Sequence, residues 1–118
     1  MGIIKIADAL DSSELLLEQN EFGQVARVLT LALARSQDQE AWRKAQRLLE
    51  RVPPRVRVET LEIALLYAKA LMFNDELQML IEFNTQTARY HGIAEAARVQ
   101  LECVKSLLVF RRDRKSVV

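Results

Sequence analysis

LEIALLYAKALMF, residues 61–73, is the stretch that decides how this chain folds. Only Glu62 and Lys69 are charged along it. They lie seven positions apart, so on a helix they share one narrow stripe. The rest of the circumference is apolar or small. A helix of that kind is buried, with neighbours on several sides. It is also too short to cross a bilayer, which takes about 20 residues. The expectation is a central helix wrapped by others, with no membrane involved.

Working outward, capping and stop signals divide the chain into helices. Toward the N-terminus, Pro53-Pro54 ends one helix, because proline lacks the amide and its ring obstructs the preceding turn. The central helix is then expected over 57–73. The helix before it, 37–51, starts at Ser36 and buries Trp42, Ala45, Leu48 and Leu49. Before that lies a helix over 23–35. The first runs over 12–19, capped by Asp11 with Glu14 and facing Leu15, Leu16 and Leu17 inward. Asn20 ends it in the left-handed conformation. Residues 1–10 read as an arm or first turn.

On the other side, Asp75 and Gln78 repeat the capping spacing and open a helix over 76–90. His91-Gly92 closes that helix. A last helix over 93–110 is expected to bury Ile93, Ala97, Leu101, Val104 and Leu108, with Cys103 and Leu107 flanking. A basic tail over 111–118 completes the chain. Six helices joined by short turns imply antiparallel neighbours.

Composition agrees. At 118 residues the chain makes one domain, and its 50% hydrophobic content is dominated by helix formers. Three glycines and two prolines leave little room for loops. A net charge of +1 gives no global field for nucleic acid or membrane. Locally, the segments 1–35 and 59–92 carry excess acid, and 36–58 and 93–118 carry excess base. Stacked neighbours with complementary rims would produce that alternation. A single cysteine excludes an intrachain disulfide and suits a reducing compartment. The first residues hold no apolar run long enough for a signal peptide. The expected setting is the cytoplasm of a bacterium.

A turn motif recurs. At an offset of 38, Ser36 falls on Asn74, Ala41 on Met79, Ala45 on Phe83 and Pro53 on His91. A second offset, of 54, aligns Asn20 with Asn74 and Ala34-Arg35 with Ala88-Arg89. The segments QEAWRKAQRLLERVPP (39–54) and ETLEIALLYAKALMFNDELQML (59–80) resemble tetratricopeptide-like helical hairpins. They are most similar to the divergent arrays found beside the ATPase or DNA-binding modules of large bacterial transcription regulators. Ala41, Ala45, Leu48 and Pro53 match the small, small, large and proline positions. The resemblance covers residues 11–110. It implies an all-α, right-handed superhelix of about six antiparallel helices, acting as a non-catalytic scaffold or regulatory module for a protein partner.

The residues offer no catalytic set. His91 reads as a helix terminator and Cys103 as a core thiol, and there is no paired-cysteine, zinc-protease or glycine-rich phosphate motif. No cofactor, no metal and no enzyme activity is expected. Three surfaces stand out instead. Glu62, Leu66, Lys69 and Phe73 fall within about 60° of each other and form either a partner groove or a stripe covered by another helix. Arg43, Arg47 and Arg51, with Lys44, make a basic row. Such a row can serve an acidic protein partner or phosphates, but the interleaved Glu40 and Glu50 also fit a solvated face. The runner-up function is accordingly a small dimeric helical protein that binds nucleic acid through that row and the tail. Finally, Leu107, Leu108 and Phe110 leave the last helix apolar on several sides, which suggests either a homodimer through it or a neighbouring element from a longer parent chain.

Overall fold

A computed structural model describes residues 5–36 and 38–116, with side chains described as far as Leu108. Leu61–Phe73, here α5, is its axis. Ile63, Ala64, Leu66, Tyr67, Ala68, Ala70 and Leu71 are all buried, so the helix is enclosed nearly all round. The other helices are α1 (Ile6–Glu18), α2 (Phe22–Leu33), α3 (Gln39–Glu50), α4 (Pro54–Glu59), α6 (Leu77–His91) and α7 (Ile93–Ser116). Among the described residues there is no strand. α5 packs against α2, α3, α4, α6 and α7, while α1 lies on α2 and α3. The radius of gyration is 14.0 Å, close to the ~13 Å expected of a compact domain of about 100 residues.

Among the described residues seven helices stand where the sequence suggests six. Pro54 occupies the first turn of a short helix of its own, where the missing amide is harmless. Thr60 is extended (φ −93°, ψ 105°) and separates that helix from α5. The break frees α4 to lie on α6 as well as α5. Val58 carbonyl oxygen accepts from His91 Nε2 at 2.7 Å, and Arg57 Nε donates to Val52 carbonyl oxygen. His91 thus ties two helices together besides ending one.

The capping expectations shift by a few residues. α1 begins at Ile6 without a side-chain cap, and Asp11 and Glu14 lie inside it. Ile6 and Leu10 pack against the core, and that burial extends the helix past the polar signal. Its inward line is Ala9, Ser13 and Leu17, whereas Leu15 is exposed. At α3 the N-cap is Asp38, whose carboxylate accepts from Glu40 amide; Ser36 Oγ accepts from Asp38 amide one step earlier. Asp75 does not cap α6, because its backbone is left-handed (φ 59°). Asn20 (φ 58°) and Gly92 (φ 95°) are left-handed, as the sequence implies.

The core is cross-braced at α5. Tyr67 hydroxyl donates to Glu50 at 3.0 Å, its ring meets Phe83 edge-on at 4.9 Å, and the Arg57 guanidinium lies 5.0 Å from its centroid. Asn74 Nδ2 donates to Trp42 carbonyl oxygen and to Gln46 Oε1. Trp42 stacks on Phe73 with centroids 4.8 Å apart and donates Nε1 to Ser36 carbonyl oxygen. Each fully buried leucine or isoleucine, such as Leu29, Leu49 or Ile63, contributes about 1.5–3 kcal/mol.

Candidate interaction surface

α7 has two apolar faces, and the chain uses only one of them. Ala96, Val99 and Cys103 are buried, and α7 packs on α5 and α6. These side chains are compact. The larger residues point the other way: Ile93 is 82% exposed, Leu101 54%, Val104 49% and Leu108 57%. Ala94 and Ala97 are exposed on the same side. This reverses the sequence expectation, in which Ile93, Ala97, Leu101, Val104 and Leu108 are the buried set. Period alone identifies both faces as apolar; the face turned to the core is the one with the smaller side chains.

α6 adds to the outside. Of its apolar residues Phe83 is buried, but Leu77 and Ile81 are exposed. α6 packs against α7 across the single-residue link at Gly92. Large apolar side chains left exposed on two packed helices mark a candidate interaction surface.

The stripe on α5 does not form an open groove. Leu66 is 3% exposed, and Lys69 and Phe73 are half-buried, Phe73 against Trp42. Glu62 alone of the four is exposed.

The basic row divides. Lys44, Arg47 and Arg51 line a groove between α3 and α1, with Leu48, and the far wall brings Ala7, Leu10, Asp11 and Glu14. Arg51 pairs with Glu14 at 3.7 Å. Arg43 is exposed and does not line that groove. The groove is therefore of mixed charge. Leu107 is half-buried and Leu108 exposed, while the Phe110 side chain and those of the basic tail lie outside the described residues.

Cys103 is buried, and burial pushes its thiol up to about 11, with Lys69 offsetting only part of that effect. Such a thiol stays protonated at neutral pH and is a poor nucleophile. Among the described residues no group of histidine, cysteine and carboxylate side chains is placed to hold a metal ion. None of the described helices is long and apolar enough to cross a membrane. Compared with protein-family models, curated proteins and solved structures, the chain matches none.

Position on α7 is what sequence reasoning missed. The spacing 94, 97, 101, 104, 108 alternates three and four, which is the seam pattern of a helix that pairs with another helix.

Proposed function

We propose that this chain is a non-catalytic protein-interaction module, built from tetratricopeptide-like helix pairs and working in the cytoplasm as a scaffold or regulatory element. The observation that carries the reading is the apolar face of α7, with the exposed Leu77 and Ile81 on α6, that the folded chain leaves outside its own core. The hairpin pairing of α1 with α2 and of α6 with α7 supports the superhelical arrangement. The buried, unpaired Cys103 suits a reducing compartment. The link to bacterial regulators rests on the resemblance of residues 39–54 and 59–80. The mixed charge of the α1–α3 groove weighs against a phosphate footprint on α3, and so favours a protein partner over nucleic acid.

The test compares affinity capture by the native chain with capture by an Ile93→Ser/Leu101→Ser variant. Both substituted positions are more than half exposed, so the circular-dichroism melt should stay nearly unmoved. The reading expects captured proteins to disappear with the variant. Identical captures from both chains would reject it.

A further inference from the structure

We infer that the groove between α4 and α6 docks an acidic segment of a partner chain, one with a bulky apolar side chain next to its carboxylate. Pro54, Arg55 and Val58 of α4 face Gln86, Arg89 and Tyr90 of α6 across a space of about 440 Å3. α7 contributes no residue to it. On α6 the groove positions are centred about 150° around the helix from Leu77 and Ile81. The groove is thus a site apart from the apolar face of α7 and does not rest on the reading of that face.

Its shape is fixed in the folded chain. Thr60 breaks the backbone between α4 and α5, which lets α4 lie on α6. His91 Nε2 donates to Val58 carbonyl oxygen at 2.7 Å, and the His91 ring meets the Tyr90 ring edge-on with centroids 4.8 Å apart. Tyr90 is therefore propped in place while 56% exposed. Tyrosine and arginine are the residue types that most often anchor protein interfaces. Anchors already held in position lose little freedom on binding.

The charge of the lining says what the groove takes. Two arginines line it and no carboxylate does. Arg55 uses only Nε, which donates to Glu59 at 2.7 Å, so its terminal nitrogens keep their donors unused among the described residues. Arg89 makes no ion pair or hydrogen bond among them. Glu59 steadies Arg55 from outside the lining; that hydrogen bond holds its carboxyl below the usual range, burial opposes the effect and the Tyr90 hydroxyl adds to it. Glu82, one turn before Gln86, accepts from Gln78 and is also outside the lining. Two cations against one engaged carboxylate leave the rim positive. Guanidinium donors suit a carboxylate, which they can bind in bidentate fashion. Pro54, Val58 and the Tyr90 ring supply the apolar contact beside it.

Size and openness select a chain segment over a free small molecule. The lining covers one turn of each helix, 54–58 and 86–90, or about 6 Å. That is the length of about two extended residues. Val58 is half-buried and the other lining residues are exposed. A small molecule would keep much of its surface in water there, whereas small-molecule sites enclose most of their ligand. A passing segment needs cover on one side only.

The test is a nuclear magnetic resonance titration of the full chain with the blocked tetrapeptide acetyl-Gly-Phe-Glu-Gly-amide, up to about 5 mM, which reaches millimolar binding. Saturable shifts should appear at the Val58, Gln86 and Tyr90 amides and at Arg55 and Arg89 Nε. Glutamine in place of the peptide's glutamate should weaken binding about tenfold or more. Alanine in place of its phenylalanine should weaken it roughly tenfold. Arg89→Glu should abolish the shifts with an unchanged circular-dichroism spectrum, and Arg89→Gln, which keeps a polar side chain, should weaken binding about tenfold should Arg89→Glu fail to fold. Arg43→Glu, at an exposed cation on α3, should bind as the native chain does. Absence of saturable shifts at the groove overturns the inference, as does equal binding of the glutamine peptide. So does an equal loss in Arg43→Glu, which would mean attraction to any surface cation. If 4-phenylbutyrate binds as tightly as the peptide, the occupant is a free carboxylate and the assignment to a chain segment falls. The Ile93→Ser/Leu101→Ser variant should bind the peptide like the native chain, so the titration decides this inference whatever that variant does to captured proteins.

Discussion

Gly23 and Gly92 lack the same side chain in opposite backbone settings. Gly23 lies in the first turn of α2, and a methyl group there would meet no atom within 4 Å. Gly23→Ala should therefore stabilise the fold by about 0.5–1 kcal/mol, by restricting the unfolded chain. Gly92 holds φ 95° and ψ 163°, a region essentially closed to other residues. There the same substitution should cost about 1–3 kcal/mol. Urea unfolding of both variants checks the two signs together. Tyr67 offers a test against pH. Burial, and then the hydrogen bond and charge of Glu50, push its phenol up to about 12. Its unfolded value is near 10, so the folded state holds the proton more tightly. The phenol's contribution is therefore complete below about pH 10 and is lost as pH rises toward 12. Tyr67→Phe should cost about 1 kcal/mol at pH 8, where the hydrogen bond to Glu50 is intact. The gap between native and variant unfolding midpoints should narrow steadily as pH rises from about 10 toward 12. A gap that widens with pH would contradict this account.

Between elements, Asn74 clamps the end of α5 to α3. Its amide nitrogen donates to both Trp42 carbonyl oxygen and Gln46 Oε1, at 3.1 and 2.7 Å. Asn74→Ala should cost about 1–2 kcal/mol for the two lost bonds. Asn74→Asp should cost more, because a carboxylate would face a carbonyl it cannot bond. Thermal melts of the two variants rank them; an aspartate variant as stable as native would refute the clamp. Legibility in the sequence also divides at this scale. The burial of α5 could be read directly, since a helix apolar all round leaves no choice of face. The left-handed positions Asn20 and Gly92 could be read from residue chemistry. The separation of α4 could not, because Pro53-Pro54 signals a stop and says nothing of Thr60 thirteen residues before the end of α5. The buried side of α7 could not either. Both its faces are apolar, so period could not choose between the smaller set, Ala96, Val99 and Cys103, which is buried, and the larger set, which is not.

Across the whole molecule, the alternation of acidic and basic segments has a spatial counterpart where the acidic α1 is laid beside the basic α3, and Glu14 meets Arg51. Both partners are at least half exposed, so the pair contributes little to stability, about 0–1 kcal/mol. Its larger effect is on the field outside the molecule. Lys44, Arg47 and Arg51 would present an uninterrupted basic face if Asp11 and Glu14 did not share the groove. Phosphate binding depends on such faces and weakens steeply with salt as counterions are released. The native chain should therefore leave a short DNA duplex unshifted in a gel at low salt. Asp11→Lys/Glu14→Lys should retard it, and raising the salt should abolish the retardation. Because both substitutions are on exposed positions, the variant should keep its helical spectrum. A salt-sensitive shift by the native chain would mean that other cations, such as Arg43 or the tail, make a phosphate footprint despite the acids. No shift by either chain would mean that the groove is the wrong shape for a duplex, whatever its charge.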